Sequence, residues 1–307
     1  MKKIYPYAAI IASLFFWGLS YISSKVCLRY VTPIALVTLR TTIAALVLTI
    51  LWRVNERHVV IKKKDFGRFF ISGLLGINCY FMFEVIGLMY TSPSIVAIIL
   101  ASIPIISLIV GRFILKTKMG IFKILGVVLS LIGVALVIGV DIDNFSSGNR
   151  GLGYLFVFLA AASWVGFSYV TKPLYKDYSP LTIATVQIIS GALVFIPVFI
   201  LTKQTMPKFD FTFTFNLLYL ALICSATAIL LYIFAMKKLG VVTTTLYINV
   251  LPIITVGASA IVLKEFLGTT QMVGGLLIIG AVYLSSVVIK PKKNLDIENS
   301  DLSFDES

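Results

Sequence analysis

The stretch Trp17–Pro33, WGLSYISSKVCLRYVTP, returns at Trp164–Pro180 as WVGFSYVTKPLYKDYSP. Tryptophan, lysine and proline keep one register, because Trp17 and Trp164, Lys25 and Lys172, and Pro33 and Pro180 are each 147 positions apart. Each copy leads an apolar run into a short turn. A second pair behaves alike: IPIISLIVGRFILKTKMG from Ile103 answers LPIITVGASAIVLKEFLG from Leu251. Here Pro104, Leu115-Lys116 and, further on, Gly126 recur as Pro252, Leu263-Lys264 and Gly274 at an offset of 148. One unit is used twice, and the number of membrane spans in that unit decides how the halves are related.

Composition sets the class. Of 307 residues 59% are hydrophobic and 13% charged, with a mean hydropathy of +1.01, whereas a soluble domain carries about a quarter charged residues. The chain belongs in a bilayer. Its net charge of +13 does not point to nucleic acid, because the basic residues sit between long apolar runs and not on one face with interleaved aromatics. Cys27, Cys79 and Cys224 lie far apart in apolar sequence, so neither a disulfide framework nor a zinc site is expected.

A hydrocarbon core of about 30 Å takes about 20 residues of helix. Runs of that kind fall near 7–27, 33–52, 67–90, 93–115, 121–140, 151–171, 181–201, 213–236, 240–263 and 270–289, predicting ten spans. The opening MKKIYPYAAIIASLFFWG resembles a secretory signal, but its recurrence at Trp164 marks it as a retained first helix. The expected organisation is a first repeat over 1–140, an extracytoplasmic linker over 141–150, a second repeat over 151–290 and a disordered cytoplasmic tail over 291–307. That tail is acidic from Asp296 and short of apolar residues. With the N-terminus inside, 19 lysines and arginines fall on inside segments against five outside, namely Arg29, Arg150, Lys203, Lys208 and Lys264. Short loops obey this bias, so both termini are expected in the cytoplasm and the protein in the cell membrane.

Five spans per unit is an odd number, so the second half must cross the bilayer in the opposite sense to the first. Inverted repeats of this kind underlie secondary transporters, where two half-structures exchange conformations around a central site. WGLSYISSK, an arginine early in span two, YFMFEVIGLMYTSPSIVAIILASIPI, and the LKEFLG that closes span nine together resemble the EamA-type transporters of the drug/metabolite transporter superfamily, over residues 7–289. The resemblance implies an all-α fold of ten helices in two inverted five-helix repeats. It also implies a central cavity lined mainly by spans one to four and six to nine, and export or exchange of small metabolites such as amino acids or related compounds. The family's acidic residue after span nine is Glu265; the matching position of the first half is Thr117.

Among 13 acidic residues, Glu84 alone falls inside a span. A charge at membrane depth costs a few kcal/mol on insertion scales and usually faces the bundle interior with a partner or a task. Arg40, about 10 Å below the outer end of span two at 1.5 Å per residue, is the natural partner, and Lys25 is a candidate third member. Three roles stand open for Glu84: a structural ion pair with Arg40, a proton-coupling carboxylate, or a ligand for a cationic substrate group. The matching positions of the second half hold Lys172, Gln187 and Tyr232, so charge in the cavity is expected to be asymmetric, with a proton or ion handled in the outer half.

Pro104 and Pro252 interrupt spans four and nine and are hinge candidates; each is expected to free a carbonyl, of Leu100 and Ile248. Asn249 beside the second break, with Asn78, Tyr80, Gln187 and Tyr232, is a candidate cavity residue. So are Trp17, Tyr21 and Trp164, the tryptophans being interior to their helices. Gly126, Ser130 and Gly133 in span five and Gly274, Gly275 and Gly280 in span ten allow close helix approach. They suit packing within the chain or a homodimer contact, which the family offers in some members.

No metal site, cofactor or nucleotide motif is expected. His58, the one histidine, lies in a basic loop, so Ser-His catalysis in the membrane lacks a member. Asp141 and Asp143 begin like a calcium loop, but Phe145 and Ser146 occupy positions that need a ligand and glycine, and there is no P-loop. The Asn144 sequon matters only if a host glycosylates exported loops. The leading expectation is a secondary transporter of small molecules, with protons as the candidate coupling ion and the lipid bilayer as its surroundings. A membrane enzyme and a non-transporting scaffold or receptor are the alternatives.

Overall fold

The computed structural model describes residues 4–115, 120–139, 149–204, 207 and 209–286. Thr117, most of the 141–150 linker with Asp141, Asp143 and Asn144, Lys208, both termini and the tail from Asp296 lie outside the described residues. The fold is all-helical in the rest. Eight helices are long and apolar enough to cross a membrane: α1 (Tyr5–Cys27), α2 (Pro33–Asn55), α3 (Lys63–Tyr90), α4 (Pro93–Phe113), α6 (Arg150–Lys176), α7 (Pro180–Leu201), α8 (Phe211–Leu239) and α9 (Thr243–Val262). Two more apolar helices, α5 (Ile121–Gly139) and α10 (Thr269–Ser286), hold shorter apolar stretches, Ile124–Val137 and Thr269–Leu284.

Local chemistry explains where the helices begin. Thr32-Pro33, Ser92-Pro93 and Ser179-Pro180 each place a hydroxyl at the N-cap and a proline in the first turn, where its missing N–H costs nothing. The Thr32, Ser92 and Ser179 hydroxyls accept from the Ala35, Ile95 and Thr182 amides, and the Asp210 carboxylate caps α8 through Phe213 N at 2.7 Å. Large side chains such as Leu46, Ile50, Leu193, Ile200, Phe211 and Ile261 point outward, because in lipid the helix exterior is as apolar as the interior.

Contact between helices therefore depends on close approach and hydrogen bonds. Gly133 of α5 and Gly274 of α10 cross so tightly that a methyl group on Gly274 would stand 2.6 Å from the Gly133 carbonyl oxygen. These two glycines are spent on packing within the chain. The helix pairings recur in both halves: α1 packs on α8 as α6 packs on α3, α1 on α9 as α6 on α4, and α2 on α8 as α7 on α3. The pairs α2–α7, α4–α9 and α5–α10 join corresponding helices.

Irregular segments also match. α3 is π-helical over Leu74–Cys79 and α8 over Tyr219–Ala228. α4 turns at Ala101–Ser102, and α9 tightens to 3₁₀ over Tyr247–Val250. Pro104 and Pro252 sit just beyond these breaks, in the first turn of a restarted helix. The expected free carbonyl of Ile248 is not free: the tighter turn brings the Leu251 amide onto it. In α4 the break is closed locally, as Ser102 Oγ donates to the Ile99 carbonyl at 2.6 Å and the Ser102 carbonyl accepts from Ile105 N and Ile106 N.

Candidate functional site

Where the halves meet, α1, α6 and α8 bring three aromatic rings together. Trp17 and Trp164 stand edge to face with centroids 5.3 Å apart, and Tyr232 lies 5.0 Å from Trp17 and 5.3 Å from Trp164. Tyr80 of α3 packs 4.7 Å from Trp164. Aromatic contacts of this geometry add to area burial, and the indole N–H groups are satisfied across elements. Trp17 Nε1 donates to the Cys224 carbonyl at 3.1 Å and Trp164 Nε1 to the Tyr232 hydroxyl at 3.3 Å. Cys224 lies in the π-helical part of α8, where the shifted backbone ladder presents carbonyls sideways; Ala228 O likewise accepts from Ser13 Oγ at 3.0 Å.

Trp17, Tyr21, Arg40, Tyr80, Glu84 and Trp164, with Ser20 and Phe81, line one closed space of about 10 Å³, room for about one water molecule. Six residues expected from the sequence thus share a single small cavity. Ser20 and Phe81 carry no charge that would have singled them out, and the Ser20 hydroxyl donates to the Trp17 carbonyl of its own helix. Arg40 and Glu84 are 1% and 3% exposed, yet they form no direct ion pair. Arg40 Nε donates instead to Ser225 Oγ at 2.9 Å, and its guanidinium lies 4.2 Å over the Phe81 ring. Arg40 Nη1 and Glu84 Oε1 have no hydrogen-bond partner, while the Tyr21 hydroxyl pairs with that of Tyr80. A cation and a carboxylate therefore face a small space with unused hydrogen-bonding capacity, which a bound polar molecule can satisfy.

The other expected residues sit elsewhere. Asn78 Nδ2 donates to the Gly191 carbonyl at 2.9 Å, clasping α3 to α7. Gln187 Nε2 bonds Ser72 Oγ and Thr171 Oγ1 at 2.8 and 2.9 Å, tying α7 to α3 and α6. Tyr232 is fully buried behind the tryptophans. Asn249 lies in the 3₁₀ turn of α9 with Oδ1 unpartnered, outside the cavity lining. Lys25 does not join Arg40 and Glu84; its ammonium donates to the Leu88 and Thr91 carbonyls at the end of α3, at 2.5 and 2.7 Å.

The two ends of the bundle are held differently. At the Tyr178 end, Lys62 and Asp177 pair at 3.0 Å. This contact holds the Asp177 carboxyl below, and the Lys62 ammonium above, its ordinary range. The Tyr178 hydroxyl donates to Asp65 Oδ2 at 2.9 Å and accepts from Lys62 N at 3.0 Å, while Lys237 Nζ takes the Tyr178 carbonyl at 2.8 Å. At the Tyr30 end, the Tyr30 ring lies 5.5 Å from Phe213 and Thr32 hydrogen-bonds Gln204.

A bundle of bilayer-length helices in matching halves, with unpartnered charge enclosed where they meet, defines a multi-pass membrane protein of the transporter class. The model of the EamA-like transporter family matches twice, over residues 4–139 and 151–287, and the chain belongs to that family. It is 27% identical over 305 residues to the uncharacterized transporter YyaM of Bacillus subtilis, covering 96% of this chain and 98% of that one. It is 23% identical to an uncharacterized transporter of Archaeoglobus fulgidus, covering 88% and 94%. A crystal structure 14% identical superposes with a TM-score of 0.66 over 91% of this chain and 95% of the other, a likeness of fold.

Proposed function

We propose that this protein is a secondary transporter that moves small metabolites, amino acids or related compounds among them, across the cell membrane by alternating access, as an exporter or exchanger. In this reading the chain crosses the bilayer ten times, α5 and α10 included, with both termini in the cytoplasm and the halves inverted. Swapping the halves exchanges α1–α8 with α6–α3 and α1–α9 with α6–α4, as a two-fold relation between them requires. The observation that carries the proposal is the small space between halves, where Arg40 and Glu84 hold unused hydrogen-bonding atoms. With no direct Arg40 contact, Glu84 fits a carboxylate that binds a proton or a substrate cation better than half of a structural pair. Pro104 and Pro252, each beside a break in a helix, are the hinges about which the halves rearrange.

The test is counterflow in proteoliposomes over labelled amino acids, nucleosides and organic cations, with and without a pH gradient. Saturable counterflow of at least one class supports the proposal; enzymatic turnover of a substrate in detergent without flux in vesicles overturns it. Tags on the two tails reacting from opposite faces overturn the inverted repeat.

A further inference from the structure

We infer that the Tyr30 end holds a second binding site, an outer vestibule that receives a zwitterion bearing an ammonium and a carboxylate before it reaches the closed space below. The inference rests on the transporter reading above.

A cavity of about 450 Å³ opens there between the end of α1, the α3–α4 turn, the start of α6 and the α9–α10 turn. That is within the usual range for small-molecule sites. Lys25, Arg150 and Glu265 line it, two cations and one carboxylate. Lys25 uses two of its three N–H groups on the Leu88 and Thr91 carbonyls, leaving one to donate into the cavity. Glu265 brings a carboxylate whose Oε2 is buried and has no hydrogen-bond partner. The two side chains form no ion pair although both line the cavity.

Lys264 takes a left-handed conformation, φ +55°, which a non-glycine residue adopts only with support. The Leu263 and Glu265 amides both bond the Ser259 carbonyl, so the end of α9 is closed and the chain reverses at Lys264. Met89, Tyr154 and Leu267 add an apolar wall, and a carboxylate on Lys25 with an ammonium on Glu265 leaves a side chain against it. Lys25 lies one helical turn from Tyr21, about 6 Å at 1.5 Å per residue, and Tyr21 lines the closed space. The vestibule therefore lies about one helical turn along α1 from the site between the halves.

The test uses protein in nanodiscs, where both faces are open, with a Met89→Cys variant labelled by a maleimide. Three probes share one apolar body: leucine, 3-methylbutylamine and 4-methylpentanoate. Leucine is expected to slow labelling saturably, and the amine and the acid, each missing one charge, to need about 10- to 100-fold higher concentration, the effect of losing one charged hydrogen bond. In the Glu265→Gln background leucine protection weakens by the same factor, and Glu265→Asp restores part of it. Equal protection by all three probes, protection unchanged by Glu265→Gln, or no protection by leucine overturns the inference. Counterflow run beside it separates the two proposals. Flux without vestibule protection removes the vestibule alone, whereas protection without flux of any metabolite keeps the site and removes the transporter reading.

Discussion

Replacing Glu84 by glutamine distinguishes a carboxylate held as half of an ion pair from one held for its own chemistry. Removing one member of a contacting buried pair typically costs about 3–5 kcal/mol, because the other charge is left uncompensated. Here the guanidinium is engaged by Ser225 and by the Phe81 face, and neither Arg40 Nη1 nor Glu84 Oε1 has a partner. Beyond contact distance, attraction at an effective dielectric near 20 supplies less than about 4 kcal/mol. The desolvation of each ion costs several kcal/mol. The terms offset, and Glu84→Gln, equal in shape, is expected to melt within about 3 °C of the parent or above it. A lost contact pair would lower the midpoint by about 6 °C or more, at about 2–4 °C per kcal/mol for a chain this long. Tryptophan fluorescence in detergent reads the midpoint, and counterflow on the same preparation is expected to lose its response to a pH gradient. A monodisperse variant that melts about 6 °C or more below the parent would refute the reasoning and return Glu84 to a structural role.

Tyr178→Phe removes a hydroxyl that joins Asp65 to the Lys62 amide and leaves a buried carboxylate short of a donor, so stability should fall by about 1–3 kcal/mol in thermal melts. Gly274→Ala drives a methyl group against the Gly133 carbonyl, backbone that cannot yield, and should cost about 1–3 kcal/mol; Gly280→Ala, with nothing within 4 Å of the new atom, should melt like the parent. Burial holds the Glu265 carboxyl above its ordinary range while Lys25 and Arg29 pull it back, and Arg150 and Tyr154 also line that cavity. An ammonium needs the charged carboxylate, so leucine protection of Met89→Cys should be full above that raised value. It should be lost as pH falls through it, at a pH above the usual glutamate range, and Glu265→Gln should abolish the dependence.

The repeat, the helix starts and the two tryptophans were readable because each depends on residue identity at a fixed spacing. Pro33 and Pro180 recur at one offset where each apolar run gives way to a turn, and Trp17 meets Trp164 because the offset that relates them also relates their helices. Arg40 misled because its partner, Ser225, is 185 positions away and is delivered by a π-helical segment that no residue pattern marks. Lys25 went astray for a similar reason: it serves backbone carbonyls of Leu88 and Thr91, and a carbonyl has no letter. Ile248 shows the same limit, since whether Pro252 frees its carbonyl depends on how tightly the preceding turn winds. Composition and spacing carry topology well; hydrogen bonds to backbone, and between helices far apart in the chain, need coordinates.

Equal backbones have been given unequal chemistry. Arg40 and Gln187 are corresponding positions, and each reaches a hydroxyl on another helix, Ser225 for one and Ser72 with Thr171 for the other. Only the first leaves a charged group facing a space. Glu84 and Tyr232 correspond likewise: the carboxylate ends with an unpartnered oxygen, while the phenol accepts the Trp164 indole and is closed off. One half thus serves as a neutral clasp and the other holds the charge, although both halves carry the same breaks in α3 and α8 and in α4 and α9. Under the proposed exchange of conformations between the halves, the moving parts can be equivalent while the ligand's polar contacts stay with one half. The second half can then be made more polar without gaining function: Gln187→Glu, facing Ser72 and Thr171 rather than the closed space, should bury an unpaired charge at a cost of several kcal/mol. It should lower expression and melting temperature, and rescue transport in no Glu84→Gln background. Restoration of pH-dependent counterflow by that double variant would show that the halves are interchangeable after all.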